Sequence, residues 1–497
     1  MNNTYLSKSK YCQCVQCKKI LWLSKNKPEA ATDDDKEVLF KNGRKVGELA
    51  KGLFGPYEDI PFSINLTPMI EKTNELLQNK PNIITEASFS YDNNFCSVDI
   101  LKNDKEGVEI YEVKSSTGVK DIYIDDVSYQ YYVLSNLGLN VKKVAIVYIN
   151  NKYIREGELD LGQLFKIEDV TDKAIKKEEE LRFNIDQINK FMNKHDENNE
   201  PIMELTKHCF EPYHCDYWQY CTRDLPKPNV FDVKGLQTHD KFKKYKEGKI
   251  TFEDLKNEDL KPKFLEQIDF ELNNKPPKIE KGAIKDFLDS LKYPLSFIDY
   301  ESCQYAIPEI QKTRAYQQIP FQYSLHIIKE EGAQVEHKEF LADYGDENVV
   351  RHFAESMIND LSEDGSVIVY NKTFEAGRNR EIGKMFPDLA DEMERINANM
   401  VDLMIPFKNR NFYVKEMKGS HSLKYVLPAL YPNDSDLDYH NLPVVHNGGE
   451  ASEAFLSLED KSKEEQEKIR NGLLKYCELD TLAMVKIWEK FREVISG

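Results

Sequence analysis

Residues 95–115 read FCSVDILKNDKEGVEIYEVKS, and their reading decides the class of fold. FCSVDIL (Phe95–Leu101) and VEIYEVKS (Val108–Ser115) are strand-like runs, and IITEASFSY (Ile83–Tyr91) precedes them as a third. DDVSYQYYVLSNLGL follows as an amphipathic helix ending at Gly138, and VKKVAIVYI after it reads as a buried strand. Strand–strand–strand–helix–strand specifies a mixed α/β core rather than a bundle or a sandwich.

Asp99 closes the first run, and Glu112-Val113-Lys114 sits on the second, thirteen residues further on. Alternate residues of a strand face one side, so Glu112 and Lys114 project together. Adjacent strands would bring Asp99 and Glu112 close enough to share Mg²⁺ or Mn²⁺, hard cations that take carboxylate oxygens and acidify a bound water. Lys114 would then orient that water or neutralise charge on a scissile phosphate. The competing reading is an exposed cross-strand salt pair, and Glu86 on the preceding strand is a minor candidate of the same kind.

The chain has 497 residues, 40% of them hydrophobic, with 25 Phe and 27 Tyr, which marks a globular, core-forming protein. Its 68 basic and 86 acidic side chains give a net charge of −18. That excludes attachment to nucleic acid or membrane by bulk positive charge, and leaves room for local basic grooves. Arg44, Lys45 and Lys51 near the first site, and Arg378, Arg380, Lys415, Lys418 and Lys424 near the second, are the candidates for phosphate contact. No apolar run approaches the roughly 18 residues that span a bilayer, and the N-terminal stretch lacks the apolar segment of a signal peptide. The expected compartment is the reducing cytoplasm.

Nine cysteines, an odd total, argue against a secreted disulfide framework. Cys209, Cys215 and Cys221 are spaced C-x5-C-x5-C, wider than the pairs that structural zinc favours. Three thiolates in one loop plus a distant fourth suit a [4Fe-4S] cluster. A zinc site recruiting His208 or His214, and buried thiols, are the other readings. Cys96, Cys303 and Cys477 lie on core-like elements and read as small apolar residues.

A lysine-rich, proline-punctuated stretch over residues 224–290 reads as a helical connector, with Thr251 as a helix cap. A second α/β region follows over 291–497. Its strand FIDYES places Asp299 and Glu301 on one face, and VIVYNKTFE puts Asn371, Phe374 and Glu375 at a strand-to-helix junction. On the last helical stretch Tyr476 and Asp480 stand four apart and so share a face. Asp402 could act nearby or cap a helix.

Residues 8–222, with Asp99, Glu112, Lys114, Gln130 and the flanking cysteines, resemble the RecB-like branch of the PD-(D/E)xK nucleases, in the form that carries an iron–sulfur staple. The resemblance implies a restriction-endonuclease-like mixed sheet over residues 1–223. It also implies Cys17 as the fourth cluster ligand and a substrate-side role for Gln130. Leu134 stands where that family has Tyr, and Glu48 stands where it has a metal-binding His. Residues 294–490 resemble the DnaQ-like 3′–5′ exonucleases of the tyrosine-bearing subtype, whose fold is RNase H-like. By that resemblance Asp299, Glu301, Glu375 and Asp480 hold two metals about 3.5–4 Å apart, and Tyr476 orients the attacking water. Glu375 stands where that family has Asp.

The whole chain resembles an uncharacterised bacterial family that fuses these two nucleases. The implied function is metal-dependent hydrolysis of DNA, single-stranded or from duplex ends, in repair, phage defence or CRISPR adaptation. The alternatives are an RNA exonuclease and a nucleic-acid-binding scaffold with degenerate sites.

Overall fold

The computed structural model describes residues 5–32, 37–79 and 81–496. Its contacts divide the chain into two compact α/β units, one of Met1–Leu225 with Tyr305–Tyr316, the other of Pro226–Gln304 with Gln317–Gly497. Residues 226–290, read from the sequence as a connector, are part of the second unit.

The first unit is built on a mixed sheet of seven strands: β1 (Leu6–Ser7), β2 (Glu58–Asp59), β3 (Ile83–Tyr91), β4 (Asn94–Asn103), β5 (Val108–Lys114), β6 (Val141–Ile149) and β7 (Phe165–Asp169). They run in the order β2-β3-β4-β5-β6-β7, with β1 parallel to one end of β4. β5 and β6 are parallel, which requires a crossover, and the helix Asp121–Asn136 supplies it. Val144, Ala145, Ile146 and Val147 of β6 are all fully buried, because helices cover both faces of the sheet. Tyr129, Val133 and Leu134 of the crossover helix fill one face together with Tyr11. Val46 and Ala50 of the helix Glu37–Lys51 close the other, against Ile100, Tyr111 and Val147. Gly138 ends the crossover helix at φ +84°, the left-handed conformation that helix ends favour.

The second unit contains a small ladder of β8 (Lys278–Ile279) with β14 (Phe412–Tyr413) and a main sheet of five strands. These are β9 (Leu295–Gln304), β10 (Gln318–Ile328), β11 (Glu336–Leu341), β12 (Ser366–Val369) and β13 (Met400–Asp402), in the order β11-β10-β9-β12-β13. The first three pair antiparallel, whereas β9, β12 and β13 run parallel through helical crossovers. The long helix Lys463–Ser496 lies on this sheet and buries Tyr476, Cys477, Met484, Trp488 and Phe491. The lysine-rich stretch forms its own cluster from Val230, Val233, Phe252, Phe264 and Ile268. Thr251 caps a short helix there, with its side chain accepting from Asp254 N–H. No helix among the described residues is long and apolar enough to cross a membrane.

β12 begins where Gly365 turns the chain under Pro294. Its φ is +99°, and a Cβ there would stand 2.2 Å from the Pro294 carbonyl oxygen. Gly365→Ala therefore meets both a backbone clash and a disfavoured conformation, and should destabilise the second unit by about 1–3 kcal/mol or more. Gly118→Ala, with nothing within 4 Å, should leave stability unchanged. Urea denaturation of the two variants checks this.

Candidate functional site: two carboxylate constellations and a thiol pocket

In the first unit the β3–β4 register runs unbroken except at one step. Thr85 pairs with Ile100 and Ala87 with Val98, but Glu86 and Asp99 between them do not pair. The β4–β5 ladder likewise stops at Ile100–Tyr111, one step short of Asp99 opposite Glu112. Three acidic residues thus occupy one cross-strand row where both ladders are interrupted. Asp99 Oδ2 accepts the Val113 N–H at 2.7 Å, replacing part of the missing ladder. Glu86 sits at φ +56°, left-handed in mid-strand, an expense that a side chain of this size rarely bears.

Two lysines face this row. Lys8 and Lys114 both donate to Glu112 Oε1 at 2.7 Å, and both pair with Asp126, Lys8 at 3.3 Å. Gln130, fully buried, donates to Glu112 Oε2 at 2.5 Å. Burial opposes the charge on Glu112, yet Lys114 and Lys8 hold its carboxyl well below the usual range. Burial and then the Glu112 charge push Asp99 up to about 8. Asp99, Glu112 and Lys114 therefore stand together, while Gln130 orients Glu112 from beneath. The Glu48 side chain is 69% exposed and pairs with Lys51 at 2.8 Å, and the third carboxylate of the row is Glu86. Lys51 itself differs from the phosphate contact expected of it. It is buried and holds Asp59 at 3.0 Å, a brace rather than a phosphate contact.

In the second unit Asp299 and Glu301 of β9 meet Asp480 of the long helix, with one carboxylate oxygen from each lying within 4.8 Å of the others. Burial, then the neighbouring Asp480, raises Asp299 and Glu301 well above ordinary carboxyls. Asp480 rises to about 6 through burial, restrained by hydrogen bonds from Tyr439 and Tyr476 and by the charge of Lys424. The Tyr439 hydroxyl donates to Asp480 Oδ1 at 2.5 Å. Glu375 is 2% exposed and pushed up to about 8 by burial, and its Oε2 has no hydrogen-bond partner. It acts electrostatically on both Asp299 and Glu301. A hard divalent cation fits this donor set, since three acidic side chains converge and nearby Glu375 keeps one oxygen buried and unpartnered. Asp402 is a cap: it accepts the N–H groups of Asn371 and Met404 at 3.0 Å and of Lys372 at 3.2 Å.

Cys17, Cys209, Cys215 and Cys221 line one small, mostly apolar cavity with Leu23, His208, Tyr217 and Trp218. Backbone N–H groups of Lys19 and Ile20 face the Cys17 thiol, and that of Tyr217 faces Cys215, the placement a thiolate needs once desolvated.

Residues 296–422 match a family described as a domain of unknown function, DUF2779. That span contains Asp299, Glu301 and Glu375 and stops short of Tyr476 and Asp480. An uncharacterized protein of Ureaplasma parvum serovar 3, UU173, is 25% identical over 427 residues, covering 80% of this chain and 60% of that protein. The match spans about three-fifths of the relative's length and is longer than either compact unit, so it includes parts of both. No solved structure matches the chain.

Lys8, Asp126 and Tyr439 join the sites without having been picked out as partners by motif, whereas Glu86 was a minor candidate. Asp126 had a local signal, standing four residues before Gln130 on one helix face. Lys8 had none, being 104 residues from Glu112.

Asp99 and Glu375 carry carboxyls near 8, against about 4 in an unfolded chain. Between those values the folded chain holds protons that the unfolded chain has released. The stability they contribute is therefore complete below about pH 4 and is lost as pH rises through about 8. Calorimetric scans of metal-stripped protein should show the thermal midpoint falling from about pH 5 to about pH 8, with Asp99→Asn and Glu375→Gln each flattening the fall. Equal slopes in all three proteins would refute these assignments.

Proposed function

We propose that the chain is a metal-dependent nuclease with two active sites, the first on a restriction-endonuclease-like sheet and the second on an RNase H-like, DnaQ-type sheet. The observation that carries this reading is the convergence of Asp299, Glu301 and Asp480 on one point beside buried Glu375 and Tyr476. The strand order β11-β10-β9-β12-β13, with the acidic pair on central β9, supports the second fold. The crossover helix between β5 and β6, and the carboxylate row with Lys114, support the first.

In the second site Asp299, Glu301, Glu375 and Asp480 would hold Mg²⁺ or Mn²⁺, which when bound supplies an activated water and charge stabilisation for the leaving oxygen. Tyr439 fixes the rotamer of Asp480 by its hydrogen bond. Tyr476, hydrogen-bonded to the same carboxylate, keeps its phenol protonated and able to orient a water. Lys424, whose charge acts on Glu301 and Asp480, would meet a phosphate entering from solvent. In the first site Asp99, Glu112 and Glu86 would share the cation while Lys114 offers its ammonium to the phosphate. The four cysteines, which line one cavity, would hold a [4Fe-4S] cluster as a structural staple, a reading that the wide C-x5-C-x5-C sequence spacing favours over zinc.

A second reading is favoured by one observation: both Glu112 oxygens are already engaged, by Lys8, Lys114 and Gln130. On it the first unit binds nucleic acid and only the second cuts. End-labelled single- and double-stranded DNA and RNA, incubated with wild type, Lys114→Ala and Asp299→Ala in Mg²⁺ or Mn²⁺, separate the readings. Two active sites require each variant to lose roughly 100-fold or more on its own substrate. Loss in Asp299→Ala alone makes the first unit a platform, and wild type leaving every substrate intact removes the nuclease reading. Anaerobic protein should be brown, Cys215→Ser colourless, and Cys303→Ser still brown.

A further inference from the structure

A different cluster lies on the β10–β11 hairpin of the second unit. His326 of β10 stands opposite His337 of β11 in the antiparallel register. Their rings are 4.5 Å apart at 33°. Glu478 of the long helix reaches the same point, so that one ligand atom from each of the three lies within 4.8 Å of the others. His326 is buried, while His337 and Glu478 are exposed, which opens one side of the cluster to water.

A chain of hydroxyls behind the two rings sets which nitrogens are bare. His337 Nε2 is 2.9 Å from Ser324 Oγ, and His326 Nδ1 is 2.8 Å from Thr481 Oγ1. The two hydroxyls are 2.7 Å apart, and Thr481 Oγ1 is 3.1 Å from the Glu478 carbonyl, which can only accept. The Thr481 proton goes to that carbonyl, as helical threonines commonly bond back to the preceding turn. The Ser324 proton then goes to Thr481. Each hydroxyl is left as an acceptor, so each ring donates to it, from His337 Nε2 and from His326 Nδ1. The opposite nitrogens, His337 Nδ1 and His326 Nε2, keep their lone pairs. Imidazoles that present one bare nitrogen and donate from the other to an oxygen have the arrangement of metal-ligating histidines.

We propose that His326, His337 and Glu478 form a site for a borderline transition cation of the Zn²⁺ type, separate from the Asp299–Glu301–Asp480 constellation. Two imidazoles and one carboxylate select Zn²⁺ over Mg²⁺, which prefers oxygen ligands alone. Two positions of the coordination sphere at most remain for water on the exposed side. The bound ion fastens the β10–β11 hairpin to the part of the long helix that carries Tyr476 and Asp480, two residues to either side of Glu478. The site does not depend on the nuclease reading, because its ligands are not those of the acidic constellation.

Zinc binding by the full chain tests this. In an Asp299→Asn background, which weakens the acidic constellation, calorimetric titration with ZnCl₂ should show one more equivalent than the same protein carrying His337→Asn or Glu478→Gln. Both of those residues are exposed, so both variants should fold. Ser324→Ala should keep the stoichiometry and weaken that equivalent by about 10–100-fold. Cys209→Ser should leave it unchanged. Zinc stoichiometry and affinity unaffected by His337→Asn and Glu478→Gln would overturn the proposal, as would loss of the same equivalent in Cys209→Ser.

Discussion

Like-charged carboxylates held side by side out of water constrain everything around them. In the first unit the row Glu86, Asp99 and Glu112 interrupts two strand ladders and adds backbone strain at Glu86, and the chain compensates with a side-chain bond to Val113 N–H and two lysines on Glu112. In the second unit Asp299, Glu301 and Asp480 converge with only tyrosine hydroxyls and Lys424 to relieve them. Such repulsion is a standing cost to the fold, since neighbouring acidic groups in a low-dielectric site cannot all ionise. The two units meet that cost differently: the first neutralises with ammonium groups, the second with protons.

The period-two pattern was legible in the sequence, and with it Asp299, Glu301, Glu112 and Lys114, because a strand's alternation fixes which side chains share a face. Tyr476 and Asp480 were legible for the helical equivalent of that reason. Other partners were not. Lys8 approaches Glu112 across 104 residues, and Tyr439 approaches Asp480 across 41, distances over which no local periodicity carries information. Glu48 was singled out only through the family resemblance, and no local pattern foretold its pairing with Lys51, three residues on. The lysine-rich stretch looked like a connector because its hydrophobic residues are sparse, yet seven of them suffice for a small core once brought together.

Placement of Lys8 also bears on the cysteines. Lys8 begins the helix Lys8–Gln16, which follows directly on β1 and ends at Cys17. At the far end Gln16 donates to the carbonyls of His208 at 2.8 Å and Tyr213 at 2.7 Å, and Trp22 Nε1 to that of Asp196 at 2.9 Å. This helix is therefore held at both ends, by a strand pairing beside the carboxylate row and by polar contacts beside the thiol pocket. One helix thus links the thiol pocket to the Lys8–Glu112 ion pair. The thiol pocket and the carboxylate row are consequently closer in structure than their distance in sequence suggests.

The convergence on β9 has a temporal side. Cys477, which contacts the backbone of Asp299, is 178 residues away in sequence, and Asp480 is three residues beyond it. At about 5–20 residues per second, roughly 10–35 s of synthesis separate the first two carboxylates from the third. During that interval Asp299 and Glu301 are without the buried third carboxylate, and the acidic constellation is incomplete. A nascent chain is thus spared the repulsion among the three buried carboxylates until the long helix that carries Asp480 has been made.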